Sequence, residues 1–223
     1  WLLQAVAGIS MSGPIFVVHD LRMGGREYAR EFFDRLSRVD IDNEFVFELF
    51  GPASEEYFER IDASVDRYNL ELSPESHKEE IRERLGKFAV SNEAIESTIE
   101  RALDNGCRTI DVFYMIGLPG QTYEDAVGCV DYAEYLLDRF GGRQIRPFVA
   151  PLSPFLDPGS PAFEHPEEYG YTLYAETFED HRQALQAPSW KHMLTYETEH
   201  LSRDDIVAAT YEAGRRMNEL KHE

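Results

Sequence analysis
Five short apolar, β-branched runs punctuate the chain, at residues 15–18, 45–50, 68–72, 109–116 and 145–149, and segments of helical period fill the intervals. Nothing else in the sequence constrains the fold as much. A helix between two strands carries the chain back to the starting end of the sheet, so the strands lie parallel, with right-handed crossovers. Helices are predicted over 26–38, 54–61, 78–85 with 92–105, and 123–140. Gly106, just after Asn105, suits the left-handed position that ends a helix, and Gly141-Gly142 suits the end of the next.

The rhythm changes near residue 150. Pro151, Pro154, Pro158, Pro161 and Pro166 crowd together with Gly159, which predicts an irregular loop. A helix over 171–185, a strand over 192–196 and a last helix are expected after it. Ser202 caps that last helix, and Asp204 and Asp205 favour its positive end. The expected organisation is an α/β core over 1–150 and, over 151–223, a Pro-rich loop with a mostly helical extension packed on the core.

Charge limits the partners. Asp and Glu number 42 against 22 Lys and Arg, a net charge of −20. Such a surface repels phosphate backbones, so a nucleic-acid partner is disfavoured unless a local basic patch lies hidden. An acidic surface with lysine only at Lys78, Lys87, Lys191 and Lys221 suits a salty cytoplasm, and suits an ordinary source equally well. No apolar run approaches the roughly 20 residues that span a membrane, and no secretory signal is visible. Cys107 and Cys129 make no disulfide framework and read as buried thiols in a reducing cytoplasm. Trp1 stands where a helix is already under way, which reads as a piece of a longer polypeptide.

The stretch "FYMIGLPGQTYED", 113–125, turns sharply at the carboxyl end of a strand and enters a helix. Thr122 is placed to cap that helix, with Asp125 where a capping box has Glu or Gln. Ligands of parallel α/β proteins bind at such strand ends, and a glycine there lets a flat ligand approach the backbone. A well-made strand-to-helix connection reads the same way. Other strand ends are polar: His19-Asp20 after the first run, Glu48 in the second, and Ser73-Pro74-Glu75-Ser76 after the third. Ser73 also reads as an N-cap, Pro74 as the first helical residue, and Glu75 as an acid favouring the helix dipole. Acids at three ends of one parallel sheet shift the balance toward a site.

These pieces, in this order, resemble the radical S-adenosylmethionine (SAM) superfamily. "YMIGLPGQTYEDAV" is similar to its fifth-strand corner, "LSPESHKEEIRERLGK" to its fourth-strand segment, and "RALDNGCRTIDVF" to the helix–Gly–strand lead-in. "PFVAPLSPFLDPGSPAFEHPEEYGY" is similar to a subgroup whose members often carry an upstream cobalamin-binding domain. The resemblance covers about 13–171 and implies a partial (β/α) TIM-like barrel with parallel strands, outer helices and a C-terminal helical extension. SAM would lie at the strand ends. Asp20 would stand near its methionine end, Glu48 would be the third-strand acid, and Glu75 with Ser76 would bond the ribose or methionine groups. Lys87 would meet the carboxylate. Ile116 and Gly117 would wall the adenine, and Val149 and Ala150 would offer backbone contacts. The resemblance assigns no catalytic side chain and no metal ligand within the chain.

Two departures accompany it. Many members bind the methionine amino group with Gly-Gly-Glu, where this chain has Gly24-Gly25-Arg26. The CxxxCxxC loop that holds the [4Fe–4S] cluster is absent, so its ligands are expected upstream. The full-length enzyme implied would cleave SAM reductively to a 5′-deoxyadenosyl radical or serve cobalamin-linked methyl transfer. It would take electrons from a donor such as ferredoxin or flavodoxin, act in the cytoplasm on a substrate the sequence does not name, and leave this piece inactive alone. A degenerate barrel acting as a binding or scaffold module is the competing reading. A barrel enzyme acting on a phosphate is a third, and it would want an anion nest that this acidic rim does not advertise.

Overall fold
The computed structural model describes residues 2–8, 12–86, 90–141, 144–151 and 155–220. In chain order these form α1 (Leu2–Ala7), β1 (Ile15–Val17), α2 (Arg26–Leu36), β2 (Phe45–Leu49), α3 (Glu55–Asp62), β3 (Tyr68–Glu75), α4 (Glu79–Arg84), α5 (Asn92–Asp104), β4 (Ile110–Ile116), α6 (Tyr123–Phe140) and β5 (Ile145–Pro151). After them come α7 (Pro161–Glu164), β6 (Tyr171–Leu173), α8 (Phe178–Ala184), α9 (Trp190–Met193), β7 (Tyr196–Thr198) and α10 (Arg203–Leu220). The fold is α/β, with a parallel five-stranded sheet in the order β1-β2-β3-β4-β5. A strictly sequential order is that of a partial TIM-like barrel; a doubly wound sheet reverses direction partway.

The chain separates into two compact units, Trp1–Pro74 with Val90–Phe113 and Leu136–Arg146, and Glu75–Ala89 with Tyr114–Tyr135 and Pro147–Glu223. In the first, the residues of β2 alternate strictly. Phe45, Phe47 and Leu49 are buried, while Val46 and Glu48 are half-open on the other face. The buried face meets the helical stripes Ala29–Phe33–Leu36 of α2 and Tyr57–Phe58–Ile61 of α3. Phe33 is the hub, with its ring 5.7 Å from Phe47 and 5.4 Å from Tyr57. Cys107 follows the Gly106 turn and is buried, as expected.

In the second unit the predicted caps are present. Thr122 Oγ1 accepts from the Asp125 N–H at 3.2 Å, and Asp125 Oδ2 accepts from the Thr122 N–H at 3.1 Å, a reciprocal box that starts α6. Ser202 and Asp205 do the same for α10. Ile206, Ala209, Ala213 and Met217 form the buried stripe of α10, and Cys129 is buried on α6.

Three expectations are corrected. Ser73 and Pro74 belong to β3, not to a helix start. Both are buried, a proline is tolerated at a strand's end, and helix begins only at Glu79. The helix expected from 171 begins at Phe178, because the Thr177–Asp180 capping box sets its start and Tyr171–Leu173 pairs antiparallel with Tyr196–Thr198 instead. The strand expected over 192–196 is displaced for the same reason: Ser189 precedes the short helix α9, and strand pairing starts at Tyr196. Gly142 lies outside the described residues.

Candidate functional site
In the first unit, the half-open face of the sheet carries acids. β2 and β3 pair in parallel with Glu48 directly opposite Glu71. Burial raises the Glu71 carboxyl above its ordinary value, and the neighbouring Glu48 and Asp111 charges push it the same way. Asp111 has its own cation, with Arg146 Nε 2.5 Å away. Glu71 has none among the described residues. Glu48 Oε2 accepts from the His19 N–H at 2.5 Å, and His19 holds a left-handed φ of 71° to present it.

Asp20 lies at the end of β1 and is 5% exposed. It caps the 3₁₀ turn Leu21–Gly24, with Oδ1 accepting from Arg22 N (3.0 Å) and Nε (2.8 Å). Its Oδ2 accepts from Arg22 Nη2 (2.5 Å) and from the Phe50 N–H (3.2 Å). Arg22 continues to the carbonyls of Gly51 and Pro52. The carboxylate thus ties the ends of β1 and β2 together, and two donors meet each oxygen.

The second unit holds the corner at the end of β4. Gly117 is buried at φ 91°, and a Cβ there would come 2.7 Å from Tyr196 Oη. Only glycine fits. Its N–H donates to Gln121 Oε1 at 2.9 Å, and its carbonyl accepts from the Tyr171 hydroxyl at 3.2 Å. Gln121, 2% exposed, also takes the Leu118 N–H and donates to the Met115 carbonyl. The corner is therefore built by one glutamine from its own loop and two tyrosines from the β6–β7 hairpin, whose rings meet edge to face at 5.4 Å. Ile116 is fully buried.

Glu75, half-buried at the end of β3, has a left-handed φ of 67° and is one of the charges that raise the Tyr171 phenol, after burial and Tyr196. Ser76 is buried, with its Oγ accepting from the Lys78 N–H at 3.1 Å and its carbonyl from the buried Arg82 at 2.5 Å. Val149 and Ala150 are half-buried on β5, and Val149 approaches Gly214 of α10. Lys87 lies outside the described residues. Sequence reasoning passed over Glu71, Asp111, Gln121, Tyr171 and Tyr196. Gln121 stood inside the corner motif, and Glu71 and Asp111, like Glu48, were acids within apolar runs.

The two cysteines do not fit an iron–sulfur cluster. Burial pushes both thiols up to about 12, so neither is a ready thiolate, and the described residues hold no group of three His, Cys, Asp or Glu able to bind a metal. None of the described helices is long and apolar enough to cross a membrane.

No protein-family model and no curated protein matches the sequence. Among solved structures, the chain is similar to the radical SAM methyltransferase TsrM from Kitasatospora setae, solved with cobalamin and a [4Fe–4S] cluster bound. Identity is 17% over 60% of this chain and 27% of that one, with a TM-score of 0.44. It is similar to the Escherichia coli coproporphyrinogen III oxidase HemN, a radical SAM enzyme (14% identity, 77% and 45% covered, TM-score 0.45). It is also similar to the FeFe-hydrogenase maturase HydG from Carboxydothermus hydrogenoformans (19%, 88% and 45%, TM-score 0.49). The chain spans less than half the length of each. All three scores lie below 0.5, so these likenesses carry no weight for function.

Proposed function
We propose that this chain is the SAM-holding part of a radical SAM enzyme. The observation that carries the reading is the pair of carboxylates, Glu48 and Glu71, set in register on one face of the sheet. Two acids so placed repel each other, and burial penalises the Glu71 charge further; a cation relieves both effects. SAM is positive at its sulfonium and at its amino group, so the donor set fits. Asp111 is already neutralised by Arg146, which leaves Glu48 and Glu71 as the pair available.

When bound, SAM would supply a radical source or, in the cobalamin-linked subgroup, a methyl group. The chain's own residues bind and orient. Glu48, held by the His19 N–H, offers its other oxygen to the cationic end, and Glu71 stands beside it. Asp20 acts through the strand ends it ties together. The positions matched by motif in the second unit keep their proposed parts: Glu75 and Ser76 toward polar groups, Ile116 and Gly117 as an apolar wall, Val149 and Ala150 as backbone contacts. Lys87 keeps its proposed pairing with the carboxylate. The cluster's ligands would come from outside these residues, as would any cobalamin domain. A ferredoxin or flavodoxin as electron donor and a cytoplasmic location belong to the same proposal.

One observation favours the scaffold reading instead. Both oxygens of Asp20, and the N–H and carbonyl of Gly117, are taken by the chain's own groups. Calorimetric titration with SAM and with S-adenosylhomocysteine, which lacks the sulfonium charge, separates the two. SAM should bind more tightly by about tenfold, the worth of one charge-assisted contact, and Glu71→Gln should narrow the gap. Equal binding of the two, or none, would select the scaffold.

A further inference from the structure
In this strongly acidic chain, one cleft of the first unit gathers arginines. An opening of about 700 Å³ between α2 and α3 is lined by Arg22, Arg26, Arg30 and Arg60. Small-molecule sites occupy roughly 300–1,000 Å³. Arg22 is matched by Asp20, and Arg60 by Glu56 at 3.1 Å. Arg26 and Arg30 stand one turn apart on α2, exposed, and meet no carboxylate among the described residues. Glu56, held by Arg60, and Glu27 are the acids on the wall.

Two further features favour an anion. Both helices open their positive ends here, because Gly25 brings no capping side chain to α2 and the Ser54 hydroxyl makes no cap bond to α3. Tyr57 lines the cleft at 7% exposure, and its buried hydroxyl has no hydrogen-bond partner. Burial, reinforced by the Asp20 charge, raises its phenol well above the ordinary value, so the group stays protonated and can donate. A buried donor without an acceptor is costly unless a ligand supplies one.

We propose that this cleft binds a small phosphorylated molecule, with Arg26 and Arg30 forking onto the phosphoryl oxygens and the Ser54 and Tyr57 hydroxyls completing the shell. Planar guanidinium pairs suit a phosphoryl group, which presents more oxygens than a carboxylate. The net charge of −20 repels a polyanion, which argues for a small ligand over a nucleic acid. The inference does not depend on SAM binding, since Arg26, Arg30 and Tyr57 have no part in that reading.

The test is a calorimetric titration of the whole chain with inorganic phosphate at low ionic strength, with chloride as the control anion. Saturable phosphate binding is expected, with chloride acting only through screening. Arg26→Gln with Arg30→Gln, both exposed and remote from the core, should weaken it at least about tenfold. Tyr57→Phe, which keeps the ring packing, should weaken it about threefold. Absence of saturable phosphate binding by the wild type, or undiminished binding by the double arginine variant, overturns the proposal. So does a single-stranded oligonucleotide that binds more tightly than phosphate through the same arginines, because the cleft would then serve a polymer.

Discussion

Glu48 and Glu71 occupy paired positions on adjacent parallel strands, so their side chains leave the same face of the sheet. Like charges opposite one another in a sheet are destabilising. The arrangement persists on a half-buried face with Asp111 beside it and no cation on Glu71 among the described residues. Packing does not explain it.

The sign of the pH dependence follows. Glu71 has a folded pKa above its unfolded one, so between the two values the folded state holds more protons, and stability falls as pH rises through that window. Glu71→Gln removes the loss. Its melting temperature should exceed that of the wild type near neutral pH by about one or two degrees, a modest shift because Glu71 is partly open to water. The difference should vanish below the ordinary glutamate value. Thermal melts between about pH 4 and pH 8 check this, and a variant less stable at neutral pH would show that Glu71 has a favourable partner.

Gly117→Ala should cost about 2–4 kcal/mol, from a left-handed backbone and a Cβ driven against Tyr196. Removing the nearest atom with Tyr196→Phe should recover part of the loss and leave the backbone part. A double-mutant cycle by chemical denaturation measures the coupling. Strict additivity would mean that the hairpin tyrosine exerts no steric control over the corner.

Thr122→Ala should destabilise by about 1 kcal/mol at neutral pH through the lost cap. Burial alone would raise the Asp125 carboxyl, but the bonds from Thr122 and the pairing with Lys78 outweigh it and hold it below its ordinary value. Its stabilising effect is therefore present above the unfolded pKa and lost as pH falls through the folded one. The gap between wild type and variant should narrow on acidification, as followed by circular dichroism.

Reconstitution with iron and sulfide should leave this chain without a stable cluster. Two buried thiols pushed up to about 12 do not replace three exposed thiolates. Visible absorbance after desalting is the readout, and a chromophore that survives desalting but disappears in Cys107→Ser would contradict it.

The parts of this molecule that were legible in sequence are those written locally. Apolar runs located all five strands of the parallel sheet, and Thr122, Asp125, Ser202 and Asp205 announced their helix starts because a cap is read within four residues. Glu48 stood out for the same reason, as an acid in a strand. Glu71 gains its meaning only from register, which depends on the turns on either side of α3. Arg26 and Arg30 look like a solvated helix face until α3 sets Ser54, Tyr57 and Arg60 across from them. Tyr171 and Tyr196 were obscured because a period-based reading made one helical and misjudged where strand pairing begins at the other.

The division of the chain also has a consequence for its synthesis. The last segment of the first unit ends at Arg146, whereas the second draws on Glu75–Ala89, Tyr114–Tyr135 and then Pro147–Glu223. The buried corner residues Ile116, Gly117 and Leu118 emerge long before Tyr171 and Tyr196, which meet Gly117 in the finished fold. During that interval they are sticky surface on a tethered, half-made chain, the circumstance in which aggregation competes with folding and holding chaperones earn their place. Slow translation through Pro147–Glu223 would lengthen the exposure.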